Sequence, residues 1–578
     1  MSDNKDAVEQ ALEAIERRAT SKERVQYSET ARILALPAMP SSFPDLTEQF
    51  RRPGGTLNLF PIQSQALYAA HLAKGLLGLI GVGHGKTLIS LLLPHVFQAK
   101  RPVLLLPAPM IEQFFREREK FGQHFVVARN LRPISYSRIS THKGALLLKE
   151  LQPDLIIADE AHFLRHKSSA RTKRVLRYLK ENPNAVFCAL SGTLTSKSIR
   201  DYAHIAEHAL RDRSPLPRPS VDWPMLEAWA NCLDSGERPR EEDWRRVEQF
   251  FRALAGHKPV LDIENFRRAF QFRLLQTPGV VATSQSSISS TLVIKHVHLP
   301  MSDSVTQAYK NLQRTWKSPD GQEEIPDAMT FARYARHLSQ GFYYRWEWGP
   351  DGPNHPWLLA RQTWFREVRR YLSNPPEGID SVFLVASACS QGRAEVVRDK
   401  NLMDAWRLWQ QFKHVREPET VAVWVSDYLV HDAVRWAKAQ RLPVILWYES
   451  LAMEQAFRAA GIPVFGQGSE APQKPITCAM SIKVHGTGKN LQAWSLQRVV
   501  SPPSSGAAWE QLLGRTHRVG QTADEIVCEV YQHTSAFVDA FNAARRDSEY
   551  IERTSGTRQK LNYAVYVTNK MEYPDEDS

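Results

Sequence analysis

Residues 79–90, LIGVGHGKTLIS, set Gly81, Gly83 and Gly85 ahead of an adjacent Lys86 and Thr87. This spacing suits a phosphate-binding turn. Glycines let backbone N–H groups converge on an anion at a helix N-terminus, where the dipole also favours negative charge. In such a turn Lys86 reaches the β- and γ-phosphates of ATP, and the Thr87 hydroxyl ligates Mg2+. The strict pattern G-x-x-x-x-G-K-[ST] asks for glycine six residues before the lysine. Ile80 stands there instead, and His84 lies inside the turn. The competing reading is a glycine-rich turn that holds no nucleotide.

Two further stretches bear on that choice. PDLIIADEAHFL places Asp159 and Glu160 directly after an apolar run. Mg2+ prefers carboxylate and water ligands, so Asp159 is a metal candidate and Glu160 a candidate to orient or deprotonate an attacking water. WEQLLGRTHRVGQ (509–521) carries Gln511, Arg515 and Arg518. Arginines three apart share a helix face, and their planar forks suit a phosphoryl group whose charge they would stabilise. The plain alternatives are a solvated acidic surface and an ordinary basic helix.

The elements that must position these groups follow from pattern. GLLGLIG, PVLLLPAP, LIIADE and VFCALSG read as buried strands, with helical stretches between them. KTLISLLLPHVF forms the helix after the turn and stops near Pro94. Such alternation predicts a parallel sheet covered by helices, with ligands at the carboxyl ends of its strands. The rhythm returns in TVAVWVS, PVILWYES, PITCAMSIKV, RVVSPP and EIVCEVYQ. The expected class is α/β, with two parallel-sheet lobes and a mainly helical region between them. The expected boundaries are an N-terminal extension (1–54), lobe one (55–210), an inter-lobe region (211–414), lobe two (415–545) and a C-terminal tail (546–578).

Bulk properties narrow the class. A chain of 578 residues calls for several domains. No apolar run is long enough to cross a bilayer, and the charged N-terminus lacks a secretory signal. The five cysteines are scattered without a C-x-x-C pair, which argues against structural zinc or a disulfide framework and fits a reducing compartment. The formal charge of +12 is compatible with a polyanionic partner.

With these residues in view, the chain resembles helicase superfamily two, and within it the Swi/Snf-type DNA-dependent ATPases. DEAH after a strand and the G-x-G-K-T turn carry the likeness, and members commonly lack the outer glycine. LFPIQSQAL (59–67) resembles the adenine-reading segment, with Gln63 the contact. PVLLLPAPMIEQFFREREKF resembles motif Ia, and DEAHFLRHKSSARTKRVLRYL resembles the extension typical of that branch. ALSGTLTSKSIRDY resembles motif III, with Leu194 where proline is usual. SIKVHGTGKNLQAW (481–494) resembles motif V, with Gly486, Gly488, Asn490 and Leu491 matching but His485 and Lys489 departing. The R-V-G-Q ending resembles that of Swi/Snf-type proteins.

The resemblance implies two RecA-like lobes with ATP and Mg2+ between them. Gln63, Gly83, His84, Gly85, Lys86, Thr87 and Gly488 would bind the nucleotide; Thr87 and Asp159 would hold the metal; Asp159, Glu160, Gln511, Arg515 and Arg518 would serve catalysis. It also implies a translocase or helicase on nucleic acid, double-stranded DNA being favoured. Candidate contacts are Pro107 to Gln113, Arg165, Lys167 and Lys489, each of which reads equally as a solvated residue. Alternatives are an RNA helicase, or a nucleotide-gated DNA-binding motor subunit of a restriction, defence or replication complex. A monomer without reader domains resembles stand-alone bacterial or bacteriophage proteins, and a cytoplasmic location is expected. The block GFYYRWEWGPDGPNHPW (341–357) mixes aromatics with arginine, as a base-stacking surface does. It also reads as a hairpin packed on its own core.

Overall fold

The computed structural model describes residues 29–568, apart from 196, 235–238, 256–261, 284–287, 289, 322–324, 326, 350–351, 374–378, 416 and 487. The helical pattern at 5–19 and the acidic end MEYPDEDS lie outside the described residues.

The apolar runs form strands as their composition dictates. β1 (Leu76–Leu79), β2 (Pro102–Leu106), β3 (Arg132–Ser135), β4 (Leu155–Asp159), β5 (Val186–Leu190) and β6 (Val280–Ala282) make a six-stranded parallel sheet in the order β3-β2-β4-β5-β1-β6. β1, β2 and β4 are buried along their whole length, as strands covered on both faces by helices must be. Two apolar clusters fill the two faces, one around Phe187 and Trp229, the other around Leu91 and Leu104.

Seven more parallel strands build the second sheet. They are β7 (Thr291–Val297), then, after an antiparallel ribbon of β8 (Phe342–Glu347) and β9 (Glu419–Trp424), β10 (Val444–Tyr448), β11 (Val464–Phe465), β12 (Cys478–Ser481), β13 (Leu496–Val499), β14 (Glu525–Tyr531) and β15 (Val565–Thr568). The order is β11-β12-β10-β13-β14-β7-β15. The chain is thus an α/β protein of two RecA-like parallel-sheet lobes, as expected.

The boundaries move. β6 and β7 come from 211–414 and complete one sheet each, because a three-residue VVA and an isolated TLVIKHV stand among helices and charged segments. β9, expected in lobe two, pairs instead with β8 across more than seventy residues, so GFYYRWEWGPDG is not a local hairpin. The segment after 545 is no tail: helix Ser535–Ser555 runs through that border, and Lys560–Tyr563 and β15 follow it. The helix after the glycine turn passes through Pro94 to Val96.

The rest of the inter-lobe region is helical and has an aromatic-rich core around Trp364 and Leu402. It reaches back to lobe one. On helix Ala170–Glu181, Arg174 donates from Nε (3.1 Å) and Nη2 (2.9 Å) to the two carboxylate oxygens of Asp380. Both side chains are 2% exposed. No helix among the described residues is long and apolar enough to cross a membrane.

Candidate functional site

β1 ends at Leu79 and delivers the chain into the glycine turn. Gly83 and Gly85 take φ of +94° and +72°, backbone that a side chain would strain, and Gly85 caps helix Lys86–Val96. Gln63, on helix Pro61–Ala73, braces the turn from behind. Its Oε1 accepts from Phe60 N (2.8 Å), and its Nε2 approaches the carbonyls of His84 (3.5 Å) and Gly85 (3.4 Å). A residue that sequence reasoning missed supports the other flank: Thr283 Oγ1 accepts from Gly81 N at 2.8 Å.

Lys86 Nζ donates to the Ile80 carbonyl (3.2 Å) and lies 3.4 Å from Glu160 Oε1. β4 ends at Asp159 on the neighbouring edge, so the acidic pair and the lysine meet because β1, β5 and β4 are adjacent strands. Glu160 takes a left-handed φ of +54°, sparsely populated for a residue with a side chain and found where surrounding structure enforces it. Its N–H donates to Asp159 Oδ1 at 3.0 Å. His162 Nδ1 sits 3.4 Å from Glu160 Oε2 and 3.2 Å from Ser191 Oγ, which ties the DEAH and S-G-T segments together.

The second lobe closes the site. Gln511 Nε2 donates to Glu160 Oε2 at 3.1 Å, and Gln511 Oε1 accepts from Arg515 Nη2. Arg515 Nε donates to the Gly486 (3.1 Å) and Gln511 (3.0 Å) carbonyls, and its Nη1 donates to that of Lys489 (3.2 Å). A buried polar chain therefore runs Lys86–Glu160–Gln511–Arg515 across both lobes. Arg518 corrects one expectation. Helix Gly506–Thr516 ends before it, so the two arginines do not share a helix face. Arg518 instead turns toward the glycine turn: a Cβ placed on Gly83 would meet Arg518 Cβ at 3.5 Å, and the buried Arg518 Nε has no partner among the described residues. Gly488 lies against lobe one through Met110, whose Cγ would stand 2.4 Å from an added Cβ.

Charge follows this packing. Burial, then the adjacent Glu160 charge, push Asp159 up to about 7. Burial also opposes ionisation of Glu160, yet Lys86, His162 and Arg515 together outweigh it and hold that carboxyl well below its ordinary range. One carboxyl of the pair is thus kept ionised and the other inclined to hold a proton. Burial, then Lys560 and Lys86, lower His84 to about 4, which keeps its ring neutral. Lys560 and Arg558 border a small cavity with Gly81 and His84, so cations from the supposed tail stand at the turn. No periodicity or motif marks them in the sequence.

Thr87 and Asp159 line one narrow cavity with Gln113 and Glu117. A hydroxyl with a carboxylate is the donor chemistry Mg2+ takes alongside phosphates and water. Among the described residues no cluster of three or more metal-ligating side chains occurs, and Mg2+ held this way needs none. The nucleic-acid candidates are less uniform. Arg165 Nε donates to His166 (3.1 Å), Lys167 stacks on Trp223 (4.4 Å), and Gln113 donates to Glu117 (2.7 Å).

These features define an α/β protein of two parallel-sheet lobes that share one buried, charged cleft, which lies at the carboxyl ends of the lobe-one strands and is closed by helix Gly506–Thr516 of lobe two. The chain matches no protein-family model and no curated protein.

Proposed function

We propose that the protein is an ATP hydrolase of the Swi/Snf-type superfamily-two kind, a DNA-dependent translocase or helicase. The observation that carries this reading is the hydrogen bond from Gln511 of lobe two to Glu160 of lobe one. It joins a phosphate-turn lysine, a water-activating carboxylate and an arginine into one network that exists only when the lobes meet.

In this reading Lys86 leaves Glu160 for the β- and γ-phosphates, an anionic partner of higher charge. Glu160, kept ionised by its cationic neighbours, is the acceptor for a proton from the attacking water. Arg515 and Arg518 offset charge on the transferring group, and Gln511 reports nucleotide state from one lobe to the other. Thr87 and Asp159 would hold Mg2+, which would supply charge neutralisation at the phosphates. The cavity beside His84, where both lobes contribute lining residues, is of only about 20 Å³, so in this reading the lobes part to admit ATP. Opening and closing on each cycle moves one lobe along a polyanion relative to the other. The +12 charge supports a nucleic-acid track.

The test is steady-state ATP hydrolysis without nucleic acid and with duplex DNA, single-stranded DNA or RNA, beside Lys86→Ala and Glu160→Gln. Turnover stimulated by duplex DNA and lost in both variants is expected. Preferential stimulation by RNA would keep the motor and change the track. Absence of turnover under every condition would remove the hydrolase.

A further inference from the structure

Helix Ala328–Leu338 separates two cavities of about 750 and 760 Å³ that lie away from the Lys86–Glu160 cleft. Arg333, His337 and Tyr344 line both, so the two adjoin along a common wall. The first opens at the carboxyl ends of the lobe-two strands, where Ser450, Lys483 and Ser501 follow β10, β12 and β13. In parallel sheets that edge is where ligands sit. The second is bordered by Trp346 on β8 and by Trp348 just beyond it.

The two ends differ in chemistry. Arg333, Arg336 and Lys483 converge on the first cavity. Burial, then these same three cations, hold the His337 ring at about 4, so it is a neutral aromatic surface inside a positive setting. Two carboxylates also line that cavity: Asp539, and Glu449, which Arg336 approaches to 3.4 Å. Arg333 has no ion pair among the described residues. Gln340 is 2% exposed and lines the same cavity with its Oε1 unpartnered. Among the described residues no carboxylate lines the second cavity. There the half-buried rings of Trp346 and Trp348 stand 5.6 Å apart at 81°, each edge-on to the buried Trp357, which fixes them from behind.

Cations and hydroxyls at one end and rigid aromatic faces at the other call for an occupant that alternates anions with flat apolar rings. We infer that this double cavity binds an unpaired polynucleotide strand, with phosphates along Arg333, Arg336 and Lys483 and bases against Trp346, Trp348 and Tyr344. A duplex does not satisfy it, because paired bases are stacked inside the helix and cannot reach an aromatic face. Each cavity has the size of a small-ligand site, which limits it to a few nucleotides. The inference goes beyond ATP hydrolysis and does not rest on it.

The experiment is fluorescence anisotropy of the full-length protein, without nucleotide, on labelled single-stranded DNA, single-stranded RNA and blunt duplex of equal length. Arg333→Ala, Trp348→Ala and Trp348→Phe are compared with wild type. Arg333→Ala and Trp348→Ala are expected to weaken single-strand binding at least about tenfold, and Trp348→Phe much less, because the stacking face survives. Arg333→Ala is also expected to flatten the log–log salt dependence by about one unit. Duplex binding and any duplex-stimulated ATP hydrolysis are expected to stay at wild-type level, which separates failure here from failure of the hydrolase reading. The DNA and RNA arms decide which strand is preferred. Unchanged single-strand affinity in both alanine variants would overturn the inference. So would a nucleoside monophosphate that competes as well as the oligonucleotide, which would make this a mononucleotide pocket.

Discussion

Gln511→Ala is the most informative single change. In the folded chain its amide donates 3.1 Å to Glu160 Oε2 and accepts from Arg515 Nη2. Arg515 keeps its bonds to the carbonyls of Gly486, Gln511 and Lys489, so the truncation leaves the arginine anchored and removes only the bridge. A buried hydrogen bond to a charged group contributes ~1.5–3 kcal/mol. Under the proposed function, if that bond orients Glu160 in the transition state, kcat for ATP hydrolysis falls roughly 10- to 150-fold, with the KM for ATP little changed. Gln511→Glu is more damaging near neutral pH, because it sets two carboxyls in contact and one must take up a proton. Steady-state ATP hydrolysis on duplex DNA, with melting temperature as the fold control, measures both. A cycle with Arg515→Lys should show coupling of at least ~0.5–1 kcal/mol, since the side chains share a bond. A Gln511→Ala variant within about threefold of wild-type kcat would refute the bridge as the link between lobes.

Asp380→Ala strips a carboxylate from a buried arginine, so it should cost ~3–5 kcal/mol, and Arg174→Met added to it should recover much of that loss; urea denaturation of the single and double variants checks both. His204, His337, His485, His517 and His533 are each lowered by burial to about 4. In the unfolded chain they titrate near 6.5, so the unfolded state binds the extra protons. Their contribution is fully present above about 6.5 and is lost as pH falls toward 4, by up to ~1.4 kcal/mol per pH unit for each. Melting temperatures from pH 7.5 to 4.5 should drop steeply, and His204→Gln, which can still donate to the Leu164 carbonyl (2.9 Å), should lessen the slope. His84→Leu should leave kcat within about threefold, since the neutral His84 ring makes no hydrogen bond among the described residues and only its carbonyl touches Gln63; loss of activity in a folded variant would give the ring a direct role.

The parts legible in the sequence are those where local pattern and tertiary role coincide. β1, β2, β4 and β5 are continuous apolar runs because both faces are buried, and the groups that follow β1, β4 and β5 stand at strand ends where parallel sheets gather ligands. Lys86, Asp159 and Glu160 were readable for that reason, and Gln511 and Arg515 because the string WEQLLGRTHRVGQ sets them on one amphipathic helix. Thr283, Thr557, Arg558 and Lys560 were not. Thr283 follows a three-residue strand, and the others lie in a polar stretch whose position depends on β15 joining β7, a pairing between residues some 270 apart. Arg518 was misplaced because a three-residue spacing predicts a helix face only where the helix continues, and this helix ends at Thr516. The tryptophan block was ambiguous because its partner strand, β9, lies beyond four intervening helices.

Any lobe movement under the proposed function must work against the contacts that already join the lobes, and these are unequal. Helix Ser535–Ser555 lies on helix Ile263–Leu275 through Gln271 Nε2 to the Glu552 carbonyl (2.8 Å) and a half-exposed Arg553–Glu264 pair. A solvent-exposed pair of this kind contributes little and can be remade after a small slide. The Arg174–Asp380 pair is dry and bidentate, and parting it would strand a charge in the interior. The Arg174–Asp380 pair therefore ties the inter-lobe helices around Asp380 to lobe one, while the surface toward lobe two also holds the Gln511–Glu160 bond and a hydrogen bond from the buried Tyr550 to Asp234 (3.1 Å). That surface reaches the glycine turn directly, because Thr283 holds Gly81 N while Thr557 Oγ1 donates to the Leu79 carbonyl at 3.2 Å. Both threonines sit on segments bound for the second sheet, so the backbone at the base of the glycine turn is tied to that sheet as well as to lobe one.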